Sequence, residues 1–217
     1  MTSEVKGKIL VNLGINEIKT YNTDELINSL RVLDRKGNTP WYFEKIKSYL
    51  FVGLDSVSLF NNPKISKEQL NWFESVLLKN KNIPTVVTLY HPLLDANGKL
   101  LNIPIAKKMV GIIKTNPQIK LVLFGGQYFN RTYLLNGCLF VSAPSPVVYP
   151  CSFKYIELLP KIIRIKTVNI PLKGIVNKAL KSVESADAFK TQIPLKDLKS
   201  YLSGSKQDLQ FDYVFRD

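Results

Sequence analysis

Histidine and cysteine are both scarce in this chain of 217 residues. Its single histidine, His91, excludes a metal centre that is built from several imidazole ligands. The two cysteines, Cys138 and Cys151, are too few for a disulfide framework, and they lack the spacing of a zinc site. We therefore expect two buried or paired thiols without a chemical role.

Long apolar runs and three common catalytic signatures are also missing. No stretch approaches the roughly 20 apolar residues that a membrane-spanning helix needs. The opening residues, MTSEVKGKILVNLG, do not have the pattern of a secretory signal peptide. The sequence contains no GxSxG, no P-loop and no GxGxxG ahead of a helix. It therefore predicts a cytoplasmic protein without membrane association.

Acidic residues are outnumbered, with 17 Asp plus Glu against 30 Lys plus Arg, which gives a net charge of +13. Such an excess raises the local concentration of anionic partners. However, the lysines are spread from Lys6 to Lys206 and form no cluster with aromatic residues or arginines. A solvated surface is the favoured interpretation, and binding to nucleic acid or another polyanion is the alternative.

What the chain does contain is 45% hydrophobic residues, enough for an ordinary buried core. Apolar strands alternate with amphipathic helices through its first part. The helices are indicated by Thr23 as an N-cap, by a capping box of Ser66 with Gln69, and by apolar spacing from Ile105 to Ile113. The strands are predicted at Lys8–Leu13, Trp41–Ile46, Tyr49–Ser56, Pro84–Tyr90 and Ile119–Phe124. This order favours an α/β layer with helices packed on a partly parallel sheet.

The second part of the chain is richer in strands. Asn136-Gly137 between two apolar runs is the strongest short signal of a β-hairpin. The elements predicted here are strands at Tyr133–Leu135, Cys138–Ser142, Ser152–Leu159, Lys161–Val168 and Leu209–Phe215, and helices at Ile175–Val183 and Leu195–Leu202.

Candidate site residues follow three of the predicted strands. Ligands of open α/β sheets bind where the strands end at their carboxyl edge, because the loops converge there. Three such ends carry polar or glycine residues: Gly14-Ile15-Asn16-Glu17, Tyr90-His91-Pro92 and Gly125-Gly126-Gln127-Tyr128.

Six runs in order carry a family resemblance: YLFVGLDS, ISKEQLNWFESVL, PTVVTLYHPLL, IKLVLFGGQYFNR, NGCLFVSAPSPVVYP and FKYIEL. From about Trp41 to Leu158 the chain resembles the C-terminal half of calcineurin-like metallophosphoesterases. The resemblance implies a layered α/β sandwich with mixed sheets, truncated at the N-terminus. Residues 1–160 would form an incomplete core, and residues 161–217 a lysine-rich extension packed on it.

Members of this family bind two metal ions through Asp, Asn and His side chains and use them to activate water. The resemblance implies that Tyr90 stands at a liganding histidine position, with His91 at the non-liganding position beside it. Gly126 and Tyr128 would replace the two histidines of a Gly-His-x-His element. A weaker alignment puts Ile15 and Asn16 at an asparagine and a histidine of the site.

The expectation is therefore a protein without the two-metal centre and without a cofactor. His91 is interpreted as a structural histidine, with an acid–base role as the alternative. An anion bound in the crevice where the family has its metal site could contact Gln127, Asn130 and Arg131. Alternatively, these are ordinary loop residues. The expected vestigial pocket consists of Asn16, Glu17, Tyr90, His91, Gly126, Gln127, Tyr128 and Asn130.

Three functions are compatible with these features. The preferred one is an inactive phosphoesterase-fold protein that works as a binding or scaffold subunit. Its partner would be a second copy of the chain, or another protein that covers the missing N-terminal half. The alternatives are a residual phosphoester hydrolase and a basic nucleic-acid-binding module.

Overall fold

The computed structural model describes residues 7–31, 38–57, 65–186 and 195–215. The predicted end of the second helix near Gly37 lies outside these residues. The strands are β1 Tyr42–Ile46, β2 Tyr49–Gly53, β3 Thr85–Leu89, β4 Ile119–Phe124, β5 Arg131–Leu135, β6 Cys138–Ser142, β7 Ser152–Leu158, β8 Ile162–Asn169 and β9 Gln210–Val214. The helices are α1 Ile15–Thr20, α2 Thr23–Arg31, α3 Lys67–Lys79, α4 Pro104–Thr115, α5 Lys173–Ser185, α6 Leu195–Ser203 and α7 Lys206–Leu209.

Six strands form the first sheet, in the order β1-β2-β3-β4-β6-β5. The four inner strands run parallel, and the edge strands β1 and β5 are antiparallel to their neighbours. Helices α3 and α4 cover one face, where Phe73 and Met109 pack with Phe140 in the main core. Burial on both faces explains why the inner strands are almost continuously apolar in sequence.

Three antiparallel strands, in the order β7-β8-β9, form the second sheet. Its inner face packs on the other face of the first sheet, where Ile163 and Ile165 contact a cluster that includes Val86 and Leu121. Helices, first sheet and second sheet are therefore stacked as layers. The predicted α/β sandwich with mixed sheets is confirmed.

The β5–β6 hairpin confirms the turn that was predicted from Asn136-Gly137. Both residues have positive φ, +52° for Asn136 and +68° for Gly137, and Leu135 pairs directly with Cys138. Positive φ at both central positions is the geometry that favours Asn-Gly in two-residue turns. Cys138, at the start of β6, and Cys151, before β7, are both free and fully buried thiols.

The strand predicted at Lys8–Leu13 is wrong, because these residues form no strand in the structure. The segment is held by a side chain instead of a ladder: Asn12 Nδ2 donates to the carbonyls of Leu54 and Thr88, at 3.0 and 3.2 Å. Its apolar residues pack in a small cluster with Leu26. A short apolar run indicates burial but does not by itself specify a strand.

Two predicted helix caps need correction. The N-cap of α2 is Asn22, not Thr23, since the Asn22 side chain accepts from the Glu25 backbone and the Glu25 carboxylate accepts in return, both at 3.0 Å. At α3, Ser66 does accept from the Gln69 backbone at 3.1 Å. The Gln69 amide, however, bonds the backbone of Asp55 just after β2, so the capping box is only half formed.

The predicted division at residue 160 falls between β7 and β8, which pair over their whole length. The C-terminal part therefore shares a sheet with the part before it, although the domain division itself stays a prediction. Among the described residues, no helix is both long and apolar enough to cross a membrane.

Candidate functional site

A cavity of about 380 Å³ lies where β3 and β4 end and α1 begins. We call it the strand-end cavity. Five of the eight residues predicted for the vestigial pocket line it: Asn16, Glu17, Tyr90, Gly126 and Tyr128. The structure therefore brings together residues from three separate strand-end or loop segments of the sequence.

Hydrogen bonds donated by two glycine N–H groups position this cavity. The Gly125 N–H donates to the Tyr90 carbonyl at 3.3 Å, which ties the ends of β3 and β4 together. On the other side, the Gly14 N–H donates to the Glu17 carboxylate at 2.9 Å in the first turn of α1. A Cβ on Gly14 would lie 3.1 Å from the Tyr90 ring, so a glycine lets this loop close on the aromatic side chain.

The chemistry of the lining is set by two phenols and one carboxylate. Burial raises the pKa of Tyr90, and the neighbouring Tyr128 and Glu17 raise it further. The Tyr90 phenol therefore keeps its proton at neutral pH, and a protonated phenol is a poor ligand for hard or borderline metal ions.

Gly126 has no side chain to offer, and its conformation disfavours one. Its φ is +80°, and a Cβ there would lie 3.2 Å from the Tyr90 carbonyl. Within the described part of the chain, no group of three His, Cys, Asp or Glu side chains is arranged to hold a metal ion. The donors at this cavity therefore do not fit a pair of metal ions, which need several carboxylate or imidazole ligands.

His91 does not line the strand-end cavity. Its Nδ1 lies 3.0 Å from Ser56 Oγ, and its backbone N–H donates to the same hydroxyl at 3.1 Å. Burial lowers the pKa of His91, while hydrogen bonding to Ser56 and the charge of Asp55 oppose the shift. Ser56 is only 1% exposed, so a substrate could not reach its hydroxyl. The contact with His91 is therefore a structural hydrogen bond.

Gln127 and Asn130 also lie away from the cavity lining. Asn130 is fully buried, and its Nδ2 donates to the Ser203 carbonyl at 2.9 Å. Arg131 Nε donates to the Ala96 carbonyl at 3.1 Å, and its guanidinium lies over the Tyr201 ring. After Tyr128, whose φ is +60°, the chain brings Asn130 to the second sheet, where its Nδ2 also lies 3.2 Å from Thr167 Oγ1 on β8.

Asn12 and Ser56 are the two polar residues of this region that sequence reasoning missed. Asn12 lines the cavity and bridges the ends of β2 and β3 through its amide. An asparagine inside an apolar run was the available signal, since a buried amide needs hydrogen-bond partners. Nothing local marks Ser56, because its partner His91 is 35 residues away.

No family model matches this chain. A curated 3',5'-cyclic-nucleotide phosphodiesterase from Nostoc sp. is 34% identical over 64 residues, which are 28% of this chain. The match spans only 24% of that relative's length.

Among solved structures, a dimetal phosphatase from Danio rerio superposes with a TM-score of 0.62 and 13% sequence identity, covering 73% of this chain and 68% of that one. A predicted phosphoesterase from Streptococcus pneumoniae TIGR4 reaches a TM-score of only 0.31 at 10% identity, covering 62% of this chain and 56% of that one. The first likeness shows the fold: the chain has the layered α/β architecture of a dimetal phosphatase.

Proposed function

We propose that this protein with a metallophosphoesterase fold acts by binding and does not assemble the two-metal centre of its catalytic counterparts. The observation that carries the proposal is the lining of the strand-end cavity. Where the family resemblance calls for histidines, the cavity has the protonated phenol of Tyr90, the bare backbone of Gly126 and the ring of Tyr128.

The chemistry of two-metal hydrolysis supports this proposal. Paired divalent ions clamp the attacking and leaving oxygens and lower the pKa of the bound water. Glu17 is the one carboxylate in the cavity lining of the described residues, and its oxygen already accepts from Gly14. One engaged carboxylate cannot hold two such ions.

Metal content tests the proposal directly. Protein purified after expression with added manganese and iron is analysed for bound elements. We expect well under one ion per chain. Two ions per chain that survive dialysis would overturn the proposal, whatever the activity of the sample.

The alternative is a residual phosphoester hydrolase, and the match to a cyclic-nucleotide phosphodiesterase is the observation that favours it. Nitrophenyl phosphate and a cyclic nucleotide are offered as substrates with manganese present. His91→Ala and Tyr90→Phe are compared with the wild type. Equal background rates in all three proteins support the binding role, and a rate that falls in either variant supports the hydrolase.

A binding protein needs a contact surface, and the outer face of the second sheet is a candidate. Phe153 and Tyr155 on β7 are 44% and 53% exposed, and Val214 on β9 is 67% exposed. Exposed apolar side chains grouped on one face are typical of interaction sites. They support self-association or docking of another protein, as the sequence predicts.

The same face also supports the nucleic-acid alternative, because Lys166 lies directly opposite Tyr155 in the β7–β8 pairing. Light scattering during size-exclusion chromatography separates the two ideas. A dimer that becomes a monomer in the double variant Phe153→Ser with Tyr155→Ser supports self-association. Binding of single-stranded oligonucleotides that weakens steeply with salt and is lost in the same variant supports the nucleic-acid role.

A further inference from the structure

A second cavity, of about 420 Å³, lies at the far end of the second sheet. We call it the β7–β8 cavity. The inner face of this sheet is apolar in its middle, at Ile163 and Ile165. Toward the cavity it becomes polar, with Ser152 paired across the strands to Asn169, and Lys154 paired to Thr167.

Ser152 gives the first sign of a missing ligand. It lines the cavity, it is fully buried, and its Oγ has no hydrogen-bond partner among the described residues. A buried hydroxyl without a partner is unfavourable, and the large majority of such groups in folded proteins are satisfied. A ligand oxygen in the cavity would supply the partner.

The start of α5 gives a second, independent sign. Lys173 and Asn177 of this 13-residue helix line the cavity. The N-cap residue Leu172 offers no side-chain cap, and the first turn contains no acidic residue. The Ile175 N–H donates to the Leu172 carbonyl at 2.9 Å, so Lys173 and Gly174 supply the remaining N–H donors of the first turn. These donors and the partial positive charge of a helix start together favour an anion.

The charges around the cavity also favour an anionic ligand. Of the described side chains that line it, Lys173 is the only charged one. Behind Thr167 lies a second cation, Lys154, whose Nζ is 3.1 Å from Thr167 Oγ1 and 2.7 Å from the Asp208 carbonyl. Burial lowers the pKa of Lys154 to about 8, so it is mostly charged at neutral pH.

The carboxylate of Asp208, which interacts with Lys154, is engaged by other donors. Asp208 accepts from the Thr132 N–H at 2.7 Å, and from the N–H and hydroxyl of Ser205 at 2.8 Å each. Its two oxygens are therefore turned toward these donors. Asp208 itself is absent from the cavity lining.

An apolar wall completes the cavity and consists of Tyr149, Pro150, Ile170, Pro171, Val176 and Leu209. The volume falls within the range of small-molecule sites. We propose that the β7–β8 cavity binds a small phosphorylated molecule. Its phosphate would lie between the start of α5 and the Ser152 hydroxyl, and its carbon skeleton against the apolar wall. A tetrahedral phosphate suits donors that converge from a helix end, a hydroxyl and a lysine.

Titration of the full chain followed by amide NMR tests this proposal, with inorganic phosphate and adenosine monophosphate as probes. We expect saturable shifts of the Lys173 and Gly174 signals with both probes. The nucleotide is expected to bind more tightly, because it also reaches the apolar wall. Shifts confined to the strand-end cavity, or shifts that do not saturate, would overturn the proposal.

Two variants and one matched control sharpen the test. Lys173→Gln and Ser152→Ala are each expected to weaken phosphate binding by about tenfold or more, as loss of a charge-assisted hydrogen bond implies. Lys178→Gln removes an exposed lysine of the same helix that does not line the cavity, and is expected to change the affinity less than about twofold, since an exposed charge acts weakly at a distance.

Equal weakening in Lys178→Gln and Lys173→Gln would mean attraction by net charge alone and would overturn the proposal. Ser152→Ala should not lower the thermal midpoint, because its buried hydroxyl has no partner to lose. Lys173 is exposed, so its variant decides the matter even where a change at Ser152 disturbs folding.

Discussion

The two sheets of this protein are buried to very different extents. The first has helices on one face and the second sheet on the other, and every residue of β6 is buried. The second sheet is covered on its inner face, while its strands alternate between buried and exposed positions, as in β8. The first sheet thus supplies most of the core, and the second supplies free surface and the polar β7–β8 cavity.

Because of this difference, we expect the first sheet to contribute most to stability and the second to provide the surface for interactions. A site whose side chains are enclosed on both faces of a sheet tolerates little change and offers no surface to a partner. A sheet that is covered on one face has a free face and an open end. In this chain the strand-end cavity lies at the first sheet, while the exposed pair Phe153 and Tyr155 lies on the outer face of the second.

The largest expected effect contrasts one phenylalanine from each sheet. Phe140→Ala on β6 empties a fully buried position, and we expect a loss of about 3–5 kcal/mol of unfolding free energy. Phe153→Ala on the outer face of β7 should cost no more than about 1 kcal/mol. Urea denaturation measures both. Equal losses would mean that the outer face of the second sheet is covered by a partner or by another part of the chain.

A smaller effect is expected where the sheets are joined. Asp208 accepts from Thr132 on β5 and from Ser205 ahead of α7, so its carboxylate links the first sheet to the segment that leads into β9. Asp208→Ala should cost about 2–3 kcal/mol of unfolding free energy, because it leaves the N–H groups of Thr132 and Ser205 without an acceptor. The control, Asp212→Ala, removes an exposed partner of Arg164 and should cost much less than Asp208→Ala, because exposed ion pairs are weak. Similar values for the two variants would contradict the linking role.

Lys154 makes the second sheet sensitive to alkaline pH. Its pKa in the folded protein is about 8, below the value of about 10.4 expected in the unfolded chain. Between these values the unfolded chain binds the extra proton, so stability rises with pH in this window. The wild type should therefore gain stability relative to Lys154→Met as the pH rises from 7 to 10. Parallel denaturation curves across this range would refute the assignment.

His91 gives the first sheet a pH response of the same sign, but at acidic pH, and we expect it to be the smallest effect. Burial lowers its pKa below the ordinary value, so the unfolded chain takes up a proton first as the pH falls. The wild type should lose stability relative to His91→Gln below about pH 6.5. Because the chain has one histidine, a single imidazole NMR signal reports the titration directly. A midpoint above the ordinary value would show that the ring is charged in the fold.

Local patterns predicted those elements whose signal lies within a few residues. The strand Ile119–Phe124 and the Asn136-Gly137 turn match the structure, because a bounded apolar run and a two-residue turn each specify their own conformation. The order β7-β8-β9 could not be predicted from the sequence, since alternation of polar and apolar residues does not specify which strands pair. The strand predicted at residues 8–13 was wrong because a short apolar run is buried in either case, whether it packs as a loop or pairs in a sheet.

The candidate site was predictable to a similar degree. The rule that strand ends converge brought Asn16, Glu17 and Tyr90 together with Gly126 and Tyr128. It could not foresee that the His91 ring contacts Ser56, because that contact depends on tertiary packing. Nor could it foresee the burial of Asn130, which follows from the direction of the backbone after Tyr128.

The two buried thiols have a practical consequence. Cys138 begins a strand of the first sheet and Cys151 directly precedes the second, and neither is exposed to solvent. Burial raises the pKa of both, so a thiol reagent reacts with either one only after that region opens. Labelling rates measured by mass spectrometry would therefore time the opening of each sheet separately. The two native cysteines can therefore serve as probes of local unfolding without an added label site.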